Sequence, residues 1–224
     1  MHSQTDEKSS TLRLHYFGIN GRAASIRAIL HSQNVQFNDV KYTFESWANV
    51  KKSGDFEFEQ MPMLEVGGKK LSQSFAICLY LSRLYNLLGS SLYEEYLINS
   101  LLCSFDDIYP SLVEIMLPKN EEQKANIATT INNFLTIIAP FFLKIWEARY
   151  NSNGTNYMVG KGFTLADIFI TVNLYLIFKH PSRIATWESV LNENAPNLSK
   201  LVERISKKEL ASYFKNGFIS ESGF

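Results

Sequence analysis

The spacing of the apolar residues changes character once along this chain, near residue 89, and that change limits the folds open to it. Over residues 11–88, strand and helix signals alternate. Thr11 to Phe17 alternates apolar and polar side chains, as a half-buried strand does. Arg22 to Gln33 carries Ile26, Ile29 and Leu30 at helical spacing. Asn38 to Thr43 reads as a second strand. Phe44 to Gln60, rich in charge and aromatics, reads as a loop. Met63 to Val66 and Lys69 to Leu71 flank Gly67-Gly68, a pair suited to a two-residue hairpin turn. Ser74 is expected to cap a helix that runs through Tyr85 and ends at Gly89. The order β-α-β followed by β-β-α describes a small mixed sheet covered by helices.

From Leu92 onward the pattern is helical throughout. Tyr93 to Met116 is a long amphipathic segment in which Pro110 predicts a kink. Glu121 to Tyr150 is a second, containing Pro140, and Asn151 to Gly154 reads as a loop. Phe163 to Phe178 is apolar nearly all round, which places it at the centre of a helical bundle. Its start, Thr164-Leu165-Ala166-Asp167, reads as a capping box and so as a folding element. Further helices are expected at Ala185 to Leu191, Asn197 to Ser206 and Glu209 to Lys215.

Composition narrows the function. The 22 basic and 22 acidic residues cancel, and no basic stripe suited to nucleic acid appears. Residues 1–10 read as a flexible polar tail without the character of a signal or transit peptide. No apolar run approaches the ~20 residues needed to cross a bilayer, so a cytoplasmic protein is expected. Cys78 and Cys103 form no CxxC pair and lie in apolar helical stretches, where they read as buried packing thiols.

Tyr16 closes the first strand, and Gly18-Ile19-Asn20-Gly21-Arg22 leads from it into a basic helix. A hydroxyl there is well placed to bond an anionic sulfur or oxygen. With Met61-Pro62 ahead of the hairpin and Gln73-Ser74 behind it, the chain resembles the cytosolic glutathione transferases of tyrosine type. The likeness is greatest to the sigma class, with the mu class second, and it covers roughly residues 11–215. It implies a thioredoxin-like α/β amino-terminal domain (11–88), a linker (89–93), an all-α domain (94–215) and a carboxyl-terminal tail (216–224). It also implies glutathione as co-substrate and a homodimer.

The resemblance carries roles to particular residues. Tyr16 would donate a hydrogen bond to the glutathione sulfur, and Arg22 would stabilise the thiolate. Lowering a thiol by about two pKa units is worth ~2.7 kcal/mol, within reach of one or two charge-assisted hydrogen bonds. Trp47 and Lys51 would hold the glycine end. Gln60-Met61-Pro62 would form a cis-proline loop that pairs with the cysteinyl backbone. Gln73 and Ser74 would take the γ-glutamyl carboxylate at a helix amino terminus. Asp106 would reach the γ-glutamyl amine across a dimer, and Phe58 would anchor the interface. Phe17, Ile19, Tyr109 and Val113 would line a site for an apolar electrophile.

Two departures matter. Cys103 stands where the prostaglandin D synthases of the class carry a metal-binding carboxylate, and a soft thiol suits hard cations poorly; no metal is expected. Glu114 replaces the tryptophan those enzymes use, which argues against carrying their isomerase activity over. The competing reading is a non-catalytic scaffold on the same fold. A thioltransferase would need a cysteine near the first helix, and none is there.

Overall fold

The computed structural model describes residues 11–219; the tail expected at 1–10 and the last part of the carboxyl tail, 220–224, lie outside the described residues. The amino-terminal domain is built on a four-stranded sheet in the order β2-β1-β3-β4. Strand β1 (Leu12–Phe17) runs parallel to β2 (Phe37–Tyr42) and antiparallel to β3 (Met63–Val66). Strand β4 (Lys69–Ser72) returns antiparallel to β3. Val66 pairs with Lys69, so Gly67 and Gly68 form a two-residue turn, both at positive φ (54° and 78°), the backbone that such turns require. The parallel β1–β2 pair needs a crossover, and helix α1 (Ala24–Ser32) supplies it. Because β1 is central, Leu12, Leu14 and Tyr16 on one face are all buried.

The stretch expected to be a loop opens instead with a helix, α2 (Phe44–Val50). Thr43 caps it, accepting from the Ser46 N–H while the Ser46 hydroxyl accepts from the Thr43 N–H. A serine in place of the usual Glu or Gln hides this capping box in the sequence. After β4 comes α3 (Ser74–Leu84). Gln73, at φ 71°, is its cap position and Ser74 its first residue, so the serine does not cap as expected.

Helix α4 (Leu92–Met116) runs unbroken through Pro110, whose missing N–H costs one ladder bond without ending the helix. The Glu121 to Tyr150 segment is less regular than expected. It divides into α5 (Glu121–Ala125), α6 (Ile127–Asn133), a π-turn at Phe134–Ile138 and α7 (Ala139–Asn153). Pro140 falls at the start of α7, where its lack of an N–H is tolerated, and the wide turn precedes it. Taken together, Ile127–Asn153 is long and apolar enough to cross a membrane by length and composition alone, although polar and charged residues such as Asn132, Asn133, Lys144, Glu147 and Arg149 interrupt it. Here Phe134, Leu143 and Trp146 pack into the core, while Ile137, Phe141 and Ile145 form an exposed stripe at four-residue spacing.

Helix α8 (Leu165–Leu174), extended by a second π-turn at Tyr175–Lys179, is the buried centre of the all-helical domain. Helices α9 (Ala185–Asn194), α10 (Pro196–Lys207) and α11 (Ala211–Asn216) complete it. The two domains meet where α1 and α3 pack on α8; Phe75 sets its ring edge-on to Phe169, which Phe105 of the helical domain also meets edge-on. Cys78 is buried, but Cys103, expected to be buried too, is exposed on α4.

The capping box of α8 is present and buried. The Asp167 carboxylate accepts from the Thr164 N–H (2.9 Å), the Thr164 hydroxyl (3.0 Å) and the Met158 N–H (2.7 Å). Asp167→Ala would strand three buried donors. It should lower stability by about 2–4 kcal/mol, read by urea denaturation.

Three histidines set an acid limit. Burial pulls His15, His31 and His180 below their ordinary value of 6.5. A depressed folded-state value means that the stability is present above 6.5 and is lost as the pH falls below it. Asp167, pushed up to about 6 by burial, works the other way, because its burial cost fades as it takes up a proton. His15→Asn should therefore shrink the fall in Tm between about pH 7.5 and pH 5.5, measured by calorimetry.

Candidate functional site

Tyr16 lies at the carboxyl end of β1 with its side chain almost wholly buried. Its hydroxyl oxygen accepts the backbone N–H of Arg22 at 3.1 Å. The loop between them bends through Gly21 at φ 40°, where a Cβ would stand 2.6 Å from the Tyr16 Oη. Only glycine lets the loop come this close. Burial raises the Tyr16 pKa, partly offset by the Arg22 N–H and by the charges of Arg22 and Arg27. The phenol therefore stays protonated at neutral pH. One acceptor position is taken by Arg22, which leaves the hydroxyl proton for donation.

Arg22 contributes its backbone to Tyr16 and its side chain elsewhere. The guanidinium bonds Asp106 Oδ1 at 3.4 Å and lies 3.8 Å above the Tyr109 ring. The pair is half exposed and adds little stability, but it ties α4 to the loop after β1. Burial raises the Tyr109 pKa strongly, so this phenol too is neutral.

Beside Arg22 opens a cavity of about 320 Å³, lined by Arg22, Phe58, Gln60, Met61, Pro62, Ser72, Gln73, Ser74 and Asp106. The Met61–Pro62 peptide bond is cis, as the resemblance implied. Helix α3 points its amino terminus here. Its first ladder bond runs from the Ile77 N–H to the Gln73 carbonyl, so the N–H groups of Ser74 to Ala76 lie outside the ladder. Such an end favours an anion. Ser72 is an addition that the sequence reading missed; its place directly before Gln73 was the available signal.

The expected residues do not all converge. Trp47 and Lys51 do not line this cavity. Trp47 belongs to an aromatic cluster, edge-on to Phe56 (4.8 Å), Tyr42 (6.2 Å) and Phe17 (6.3 Å). Phe17 itself packs at a tilt on Phe44, a residue not anticipated, with ring centroids 4.8 Å apart. Ile19 is half-buried, its carbonyl held by Arg27 at 2.7 Å. Tyr109 reaches the site through Arg22, and Val113 follows one turn later on α4. Phe58, on the cavity rim, is 52% exposed.

Arg27, on α1, serves the fold rather than the cavity. It is fully buried and makes two bonds to Asp39 and one each to the carbonyls of Phe17 and Ile19. Cys78 lines a small gap beneath Arg22 and Tyr109, and burial pushes its thiol up to about 12, which makes it unreactive. Among the described residues, no group of three or more His, Cys, Asp or Glu is arranged to hold a metal ion.

Two family profiles match. Residues 12–83 match "Glutathione S-transferase, N-terminal domain" and residues 106–217 match "Glutathione S-transferase, C-terminal domain". The chain is 30% identical to glutathione S-transferase A of Cavia porcellus over 203 residues, covering 88% of this chain and 91% of that protein. It is 32% identical to glutathione S-transferase A3 of Homo sapiens, covering 87% of this chain and 83% of the relative. Among solved structures it is similar to a Fasciola hepatica sigma class GST, with a TM-score of 0.81 and 24% identity over 96% of this chain and 99% of the other, a likeness of fold alone. Two matched domains, a tyrosine on the central strand and a cis-proline cavity at a helix end agree: the chain belongs to the glutathione S-transferase family.

Proposed function

We propose that Tyr16 activates glutathione, donating its hydroxyl proton in a hydrogen bond to the sulfur so that the thiolate attacks an apolar electrophile. Glutathione transferase function comes with the family. The single observation that carries the mechanism is the Arg22 N–H at 3.1 Å on the Tyr16 oxygen, which orients the hydroxyl and leaves its proton to give. A thiolate outruns its thiol as a nucleophile, so turnover follows the thiolate population.

In this reading the cavity holds the rest of glutathione. The Met61 backbone pairs with the cysteinyl unit, and Gln60 and Pro62 shape the loop around it. Gln73, Ser74 and the open N–H groups of α3 take the γ-glutamyl carboxylate, and Asp106 takes the amine. Trp47 and Lys51 reach the glycine end from the rim of α2, with Trp47 braced by Phe56. The electrophile lies among Phe17, Ile19, Tyr109 and Val113, and Arg22 stabilises the thiolate. No step of this reading uses a metal, and it places the protein in the cytoplasm. The chain is sigma-like in our reading, although some of its sequence relatives carry alpha-class names. The chemistry depends only on the tyrosine, which both readings share.

The protein also acts as a homodimer in this reading. Phe58, 52% exposed, is the anchor. Exposed Leu92, Tyr93 and Tyr96 on α4, with the stripe of Ile137, Phe141 and Ile145, offer the apolar area that such an interface needs. Phe58→Glu should shift the sedimentation profile to monomer; an unchanged profile would remove Phe58 from the interface.

Tyr16→Phe keeps the ring and removes the donor. Turnover should fall about 10²-fold or more, while glutathione still binds by calorimetry. Saturating glutathione should show an ultraviolet thiolate band in the unaltered protein and not in the variant. Full turnover in Tyr16→Phe would refute the mechanism. Binding without any thiolate band would favour the scaffold reading.

A further inference from the structure

The carboxyl-terminal segment is bonded directly to the loop that follows Tyr16. Asn20, in that loop, is fully buried. Its Nδ2 donates to the Ile219 carbonyl at 2.8 Å, and its Oδ1 accepts the Ile219 N–H at 3.1 Å. This is a reciprocal pair between a side-chain amide and one residue's backbone, spanning 199 positions of sequence. The segment is itself anchored on the helical domain. The Phe218 N–H donates to the Tyr213 carbonyl at 2.8 Å, and the Phe218 ring packs at 5.4 Å on those of Tyr175, Phe214 and His180.

On its other side Asn20 is two residues from the N–H that orients Tyr16. Arg27 holds the loop at the Phe17 and Ile19 carbonyls, so its first half is tied to α1. The second half, Asn20 to Arg22, passes within contact distance of Tyr16 at Gly21. A shift of a few tenths of an ångström at Asn20 reaches the Arg22 N–H through one glycine. We propose that Asn20 is a positioning residue, which sets the Arg22 N–H on the Tyr16 hydroxyl by fastening the loop to Phe218–Ile219 of the other domain. The orientation of the activating hydroxyl thus depends on the carboxyl-terminal segment.

The proposal rests on the role given to Tyr16 above, but its first test does not. Hydrogen exchange of the Arg22 amide reports the bond to Tyr16 without any ligand. Three variants are compared with the unaltered protein: Asn20→Ala, a chain ending at Gly217, and both changes together. Each single change should speed Arg22 exchange about tenfold or more. The combined change should be no faster than the faster single one, because both remove the same link. With saturating glutathione, the thiolate band should weaken in all three, and kcat should fall more than KM for glutathione rises. If Asn20→Ala does not fold, the shortened chain, which keeps Asn20, gives the same readout.

Unchanged Arg22 exchange in a variant that has merely lost thermal stability would overturn the proposal, since Asn20 would then serve stability alone. Additive acceleration in the combined variant would overturn it too, because the two elements would act separately. A missing thiolate band in the unaltered protein, with the exchange pattern as expected, would sink only the reading of Tyr16.

Discussion

Arg27 carries a charge into the amino-terminal domain where solvent does not reach it, and the site is arranged around that charge. A buried guanidinium must be bonded at most of its donors or it costs several kcal/mol. Asp39 on β2 supplies two acceptors, and the carbonyls of Phe17 and Ile19 supply the others. One side chain therefore joins α1 to β2 and pins the backbone immediately after Tyr16. That loop would otherwise be a solvated turn. Pinned, it delivers the Arg22 N–H to the Tyr16 oxygen, with Gly21 giving the clearance.

The same loop is where the two domains exchange contacts. Arg22 crosses to Asp106 and Tyr109 on α4, and Asn20 crosses to Ile219. Beneath it, Ser25 on α1 accepts from Asn173 on α8, and Phe75 on α3 meets Phe169. Helix α8 is a firm counterpart because its own start is fixed by Asp167, which satisfies three donors in a buried place. The site is thus a seam between the carboxyl end of the sheet's central strand and a helical bundle, and rigid packing on both sides holds a small number of polar groups in place.

Much of this was legible in the sequence, and for local reasons. The Gly67-Gly68 turn, the strand ending at Tyr16 and the Thr164–Asp167 box are each decided within a few residues, where spacing and turn chemistry suffice. The misreadings also have local causes. Helix α2 was hidden because its capping box uses Ser46 and its surface is rich in charge and aromatics. The break before α7 was hidden because a π-turn keeps the apolar pattern while changing the ladder. The apolar neighbours of Cys103 suggest a buried thiol, but it falls on the outer face of α4, next to buried Leu102.

By itself the sequence determined the class and order of the elements other than α2 and the divided α5–α7 stretch, the break between a mixed sheet and a helical bundle, and the tyrosine that ends the first strand. These follow from periodicity and from residues with special backbone freedom, which act over a few positions. Only the tertiary structure decided which part of Arg22 faces Tyr16, that Trp47 is braced in an aromatic cluster, and that Asn20 grips Ile219. Those contacts join residues up to 199 positions apart. No local pattern encodes them, because they exist only once the sheet, the crossover helix and the bundle have packed together.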